Sequence, residues 1–219
     1  MMAGDPTIER RFAAVARSST FQNLCAQFHL GEKAVLDIGC SYGEFLAHFG
    51  AGSVGVTLVP EEASYARARG LTIAEGNIED AAGVARIEGT FDVIFANNIF
   101  EHLYGPHAFL IAMKKLLRDN GVLILGVPCL PKATALMHFK KFRGALADAH
   151  INFFTRDTLA LSVERAGWVV EEVRGFRFKS SLLDALFNSV YPHVYVIARV
   201  DNAFAYSGKR QRELKGYAP

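Results

Sequence analysis

Cysteine is scarce: three in 219 residues, Cys25, Cys40 and Cys129, with no C-x-x-C pair among them. A sparse, odd set suggests neither a disulfide framework nor a zinc site. No apolar run is long enough to span a bilayer. The opening MMAGDPTIERR carries no apolar signal core, so a cytoplasmic location is the default expectation. Net charge is only +2, and no broad nucleic-acid or membrane footprint follows from it. Internal repeats and low-complexity linkers are missing as well. What is present is 51% hydrophobic and 21% charged residues, the balance of an ordinary globular chain. Its length suits one α/β domain with a real core.

Residues 7–29 put Ile8, Phe12, Val15, Phe21, Leu24 and Phe28 at mixed helical spacing. They predict one or two helices, an N-terminal helical cap over residues 1–30. Short β-rich runs follow at 34–38, 53–58, 71–75, 91–96 and 121–127. Helical stretches fall near 43–49, 60–69, 79–86 and 106–117. Continuous apolar strands between amphipathic helices predict a parallel sheet covered on both faces. After residue 150 the order changes: a helix near 155–166, then strands 168–174 and 193–200 with a helical insert between them. "ERAGW" supplies a helix-ending glycine before Trp168. Residues 201–219 read as a polar tail that frays.

The stretch VLDIGCSYGEFL, residues 35–46, has two readings. Gly39-Cys40-Ser41-Tyr42-Gly43 matches G-x-S-x-G, a nucleophile elbow with Ser41 as nucleophile. It also matches D-x-G-x-x-x-G, a tight loop that lets a ligand approach the backbone. An elbow needs strands before it and an acid and a histidine after it, in that order. Here the motif closes the first strand, where an open α/β sheet binds ligands. The cradle reading therefore predicts that the helix beginning near Gly43 points its N–H groups at a ligand.

Several stretches together resemble, in order and spacing, the class I S-adenosylmethionine-dependent methyltransferases. They are VLDIGCSYGEFL, VGVTLVPEEASYARARG, EGNIED, FDVIFANNIFEHL, LLRDNGVLILGVP and HINFFTRDTLALSVERAGW. The resemblance covers roughly residues 30–200. It implies a Rossmann-like doubly wound seven-stranded sheet, mostly parallel with an antiparallel last strand and helices on both faces. The domain would span 31–200, with a lid insert near 129–149. S-adenosylmethionine is the implied cofactor. Asp37, Gly39, Cys40, Ser41 and Gly43 would hold its amino-acid end and ribose edge, with Asp37 a ligand, a loop-pinning carboxylate, or both. Cys40 reads as a small packed residue. Thr57 stands where the family carries an acid for the ribose hydroxyls. That leaves weaker binding, another ribose partner, or help from Glu61 or Glu62. On this reading an Asp at 57 would tighten the cofactor. Leu58 would pack on the adenine, Asn77 would accept from its amino group, and Ile78 would stack on the ring. Asn97 would sit near the methionine end, with Asn98 and Phe100 continuing toward the acceptor.

Methyl transfer needs an aligned acceptor, and a hydroxyl acceptor also needs a base. His150 is the stronger candidate base and His102 the second, with a structural role open to it. The resemblance extends to ubiquinone-pathway O-methyltransferases and small-RNA 2′-O-methyltransferases, in which E-x-x-E-H and a later His hold a divalent ion. Here Asn98 replaces the first Glu, leaving Glu101, His102 and His150; a metal is an open option, and transfer without one is the expectation. The lid mixes Leu136, Met137, Phe139 and Phe142 with Lys132, Lys140, Lys141 and Arg143. It would suit a small-molecule acceptor with an acidic group, if it is not simply a solvated amphipathic helix. The sequence therefore predicts methyl transfer to a small molecule, at oxygen. Methylation of a nucleic-acid or protein group, or a non-catalytic cofactor-binding protein on this fold, stands as the alternative.

Overall fold

The computed structural model describes residues 5–131, 139–187 and 191–213. Among these, eight strands form one sheet: β1 (Val35–Ile38), β2 (Val54–Thr57), β3 (Ile73–Glu75), β4 (Phe91–Asn97), β5 (Leu117–Leu130), β6 (Phe154–Thr155), β7 (Trp168–Arg174) and β8 (His193–Val200). Seven run in the order β3-β2-β1-β4-β5-β8-β7, and the two-residue β6 pairs with the far end of β5. The pairings from β3 across to β5 are parallel. Those of β8 with β5 and with β7 are antiparallel. This is the expected Rossmann-like sheet. Its strand order reverses between β1 and β4, and a ligand crevice opens beyond the carboxyl ends at such a point.

The central strands β4 and β5 carry long apolar stretches because both faces are covered there. In β4, Val93 and Phe95 face one layer while Ile94 and Ala96 face the other, as the two-residue pleat requires. The first layer takes Phe21 and Leu24 from α2 (Ser19–Phe28). The second takes Phe109, Leu110 and Met113 from α5 (Pro106–Met113), with Leu159 and Val163 from α6 (Arg156–Arg165). Trp168, at the head of β7, is buried there and donates from Nε1 to the Leu110 carbonyl (3.1 Å).

Local chemistry sets the helix ends. α1 (Pro6–Arg17) starts at Asp5, whose Oδ1 accepts from Thr7 N. Ser18 takes an extended conformation, ending α1 and capping α2 through Phe21 N. Thr155 and Thr158 bond reciprocally to open α6. α3 (Pro60–Ala68) begins on a proline. α4 (Ala81–Val84) is a single turn and α7 (Ser181–Phe187) is the insert before β8.

Two expectations need correction. No α-helix follows β1: residues 41–45 form turns, and Leu46–His48 make one 3-10 turn. Ser41 (φ 50°) and Gly43 (φ 91°) lie in the left-handed region, which a right-handed helix cannot include. β5 is also longer than 121–127, since Leu117 pairs with Phe91 and Leu130 with Thr155. Beyond β8 the chain turns back. Tyr206 Oη lies 2.8 Å from His107 Nε2, before α8 (Gly208–Glu213). No helix of the described residues is long and apolar enough to cross a membrane.

Candidate cofactor and acceptor site

Two cavities are lined by consecutive residues at the end of β4, with no wall residue in common. Ile99 lines a crevice of about 250 Å³ with Gly39, Ser41, Thr57, Leu58 and Ile78. Asn97 and Asn98 line a chamber of about 760 Å³, with Phe21, Phe45, Arg177 and His193 among its other walls.

The crevice is shaped from the β1 loop. Gly39 and Cys40 both donate their amides to the Val56 carbonyl (2.9 Å each), tying the loop to β2. At Gly39 (φ 72°) a Cβ would lie 3.1 Å from Ile99 Cδ1. At Gly43 it would lie 2.4 Å from Leu71 Cδ1. Neither position accepts a side chain without movement. Cys40 is buried under the loop against Gly55, and burial pushes its thiol well above the ordinary range. Ser41 Oγ donates to Glu62 Oε1 (2.9 Å) and accepts from Arg11 Nη2 (3.0 Å). No imidazole is among these partners, so the elbow reading fails. Arg11 Nε also meets the buried Glu44 Oε1 at 2.5 Å, which fixes α1 to the loop.

Asp37 is buried, and its Oδ2 has no hydrogen-bond partner. Burial, then the neighbouring Glu44 charge, pushes its carboxyl up to about 8. Thr57 Oγ1 donates to Glu62 Oε2 (2.7 Å) and accepts from Val59 N (3.2 Å). Leu58 is 64% exposed, an apolar side chain held open at the crevice. From the loop after β3, the crevice takes Gly76 and Ile78. Asn77 accepts at its Oδ1 from Glu79 N (2.9 Å), a local Asx turn, and is not among the crevice walls.

Asn97 Oδ1 is buried without a partner at the chamber wall. Asn98 takes a left-handed conformation (φ 55°), and its Oδ1 lies 2.8 Å from His193 Nε2. Burial lowers His193 to about 4. Phe100 does not continue toward an acceptor. It is fully buried and stacks on Phe154, centroids 5.1 Å apart. Within the lid, Phe142 is buried while Lys140 and Arg143 are exposed. Lys132, Leu136 and Met137 lie outside the described residues, as does the side chain of Lys141.

Glu101, His102 and His150 come together. Glu101 is 1% exposed, and neither of its oxygens has a hydrogen-bond partner. His102 Nε2 and His150 Nε2 stand 4.0 and 3.9 Å from Glu101 Oε1. Each histidine turns Nδ1 to a backbone carbonyl, Ala149 O at 2.9 Å for His102 and Ala145 O at 3.2 Å for His150. That fixes the tautomer with the Nε2 lone pairs facing inward. One donor atom from each residue lies within 4.8 Å of the others. A buried carboxylate and two oriented imidazoles suit a divalent ion. They equally suit a proton, and burial raises Glu101 above the usual carboxylate range while the two histidines work against the rise.

Arg11, Glu62 and His193 were not foreseen as firm site residues. Their charges stand among many similar ones in the chain. Only Glu62, one turn into a helix that follows a ribose-type strand end, carried a signal.

Comparison with known proteins agrees with this geometry. Residues 9–173 match the model of a family described as "Methyltransferase domain". The mitochondrial ubiquinone biosynthesis O-methyltransferase of Schizosaccharomyces pombe is 25% identical over 157 residues, covering 65% of this chain and 57% of that protein. The ubiquinone biosynthesis O-methyltransferase of Xanthomonas oryzae pv. oryzae is 33% identical over 109 residues, 46% of this chain and 45% of that one. The chain thus spans about half the length of the curated relatives it matches. Among solved structures, an S-adenosylmethionine-dependent methyltransferase from Mesorhizobium loti superposes with a TM-score of 0.60 at 15% identity, covering 84% of this chain and 99% of that one. The magnesium protoporphyrin IX methyltransferase of Synechocystis, with bound S-adenosylhomocysteine, gives 0.56 at 16% identity over 90% and 89%. At these identities the structures speak for the fold alone. With the sheet order, the β1 glycine loop and a family model spanning most of its length, the chain belongs to the class I S-adenosylmethionine-dependent methyltransferases.

Proposed function

We propose that this chain transfers a methyl group from S-adenosylmethionine to an oxygen of a small molecule. The observation that carries the reading is the placing of two cavities at consecutive residues, Asn97–Asn98 for one and Ile99 for the other, with Glu101 and His102 following on the same loop and His150 brought beside them from beyond β5. When bound, the cofactor supplies an electrophilic methyl carbon on a sulfonium. Gly39, Thr57, Leu58 and Ile78 would line the nucleoside, and Asn97 Oδ1 would accept a hydrogen bond from the methionine end. The acceptor occupies the chamber, aligned by its apolar walls. Arg177 there gives an acidic substituent a partner.

His150 acts as the base. Its Nε2 would take the hydroxyl proton of an acceptor that reaches past the chamber walls to this cluster, as the methyl leaves the sulfonium to give the thioether, and the Glu101 carboxylate beside it would stabilise the imidazolium. A second reading rests on the same donors. Glu101, His102 and His150 would hold a divalent cation, which would lower the pKa of an acceptor hydroxyl. The names of the curated relatives support oxygen as the acceptor atom.

The test has two stages. Calorimetric titration with S-adenosylhomocysteine reads cofactor binding; no binding overturns the proposal. Catechols and other aromatic hydroxyl compounds, with and without a carboxylate, are then screened for S-adenosylhomocysteine formation. Product mass spectrometry locates the methyl group, and a methyl found on nitrogen or carbon overturns the oxygen assignment.

A further inference from the structure

The end of β2 lacks the acid expected for the ribose, yet the crevice does not lack a carboxylate. Glu62, on the first turn of α3, reaches back over it. Its Oε2 accepts from Thr57 Oγ1 at 2.7 Å and its Oε1 from Ser41 Oγ at 2.9 Å. Glu61, its neighbour, is exposed and is not among the crevice walls. The two hydroxyls hold both oxygens of Glu62 in one place, one from the β1 loop and one from the strand end. An ionised carboxylate has about four lone-pair sites, so two donors leave two acceptor positions. Thr57 is nearly buried and Glu62 half-buried, so the carboxylate is partly desolvated and oriented before any ligand arrives.

Resting on the reading that the crevice takes the cofactor nucleoside, we infer that Glu62 is its ribose-binding carboxylate. The acid has moved five residues along the chain, from the strand end to the following helix, and Thr57 has become its positioning residue. Glu62 accepts hydrogen bonds from the two vicinal hydroxyls of the ribose. The arrangement also reverses the expectation for an acid at position 57. Thr57→Asp would set a second carboxylate against Glu62 and weaken binding. It would strengthen binding only where Glu62 is absent.

The test compares 5′-methylthioadenosine with its 2′-deoxy and 3′-deoxy analogues by calorimetry, and reads S-adenosylhomocysteine beside them. Charge-assisted hydrogen bonds lost from a partly buried site cost about tenfold or more in affinity. The unaltered chain should show that penalty for each deoxy probe. In Glu62→Gln, affinity for 5′-methylthioadenosine should fall by about the same factor and the deoxy penalty should shrink. Thr57→Asp alone should bind more weakly, and Glu62→Gln with Thr57→Asp should regain affinity over Glu62→Gln. If the unaltered chain binds no adenosine probe and no S-adenosylhomocysteine, the methyltransferase reading falls and this inference with it. If it binds them but shows no deoxy penalty, or if Glu62→Gln keeps both affinity and penalty, Glu62 is not the ribose carboxylate and the wider reading stands. If a variant fails to fold, absence of a deoxy penalty in the unaltered chain still overturns the inference, and Glu62→Asp, which keeps the charge but shortens the reach, replaces Glu62→Gln.

Discussion

Glu62 and Glu101 are both withdrawn from water, and they are kept in opposite ways. Each oxygen of Glu62 already holds a hydroxyl hydrogen. Neither oxygen of Glu101 has a hydrogen-bond partner, and two imidazole nitrogens stand near 4 Å. A carboxylate satisfied by neutral hydroxyls is ready for more neutral hydroxyls. A buried one with no donor is costly until a positive charge arrives, whether a proton or a cation. On the proposals above, the first environment serves recognition and the second handles charge.

The largest break in this contrast should come at the charge-handling end. With an acceptor identified as above, Glu101→Gln and His150→Ala should each lower turnover by about a hundredfold or more. Affinity for S-adenosylhomocysteine should stay unchanged in both. Full turnover in a folded His150→Ala protein would remove it from the chemistry. Chelator treatment separates the two readings of the cluster: loss of activity restored by added divalent ion selects the cation, and indifference selects the base.

A second measurement concerns Asp37, another buried carboxyl with an unpartnered oxygen. Its folded value of about 8 lies above its ordinary 3.8. A group so raised binds its proton more tightly when folded. Its stabilisation is complete below the ordinary value and is lost as pH rises through about 8. The melting temperature of the cofactor-free chain should therefore fall with rising pH across that window, and fall less in Asp37→Asn. Equal slopes would show that Asp37 is already ionised at neutral pH. The smallest effect is expected at Ser41. Ser41→Ala removes one of two hydroxyls from Glu62 and should weaken S-adenosylhomocysteine only a few-fold, roughly the worth of one hydrogen bond. Covalent labelling of Ser41 by a fluorophosphonate probe would instead revive it as a nucleophile.

The sheet was legible because its central strands are apolar runs rich in Val and Ile, and burial on both faces leaves little else for them to do. The segment after β1 was misread for a definite reason. Phe45, Leu46 and Phe49 supply helical spacing, but the conformation is decided upstream by Ser41 and Gly43, and composition does not reveal a positive φ at serine. The fate of Asn77 and Asn98 was equally hidden. Each amide oxygen has a partner, Glu79 N for one and His193 for the other, and the second is 95 residues away in sequence. Glu101, His102 and His150 could be named together only because a motif placed them so. Nothing in the spacing of His150 from the other two fixes where its ring points. That direction comes from the Ala145 carbonyl, as the direction of His102 comes from the Ala149 carbonyl, and such backbone groups have no signature in the sequence.

Trp168 is the sole tryptophan of the chain. It is sealed between β7 and α5, with Nε1 bonded to a main-chain oxygen. Its indole should therefore emit in the blue and shift to the red only when that layer comes apart. It is not among the walls of either cavity, so nucleoside titration should leave the emission almost unchanged while denaturant moves it fully. The protein carries an intrinsic optical gauge of folding that is blind to its ligands, and each variant above can be certified as folded in the same cuvette that measures its binding.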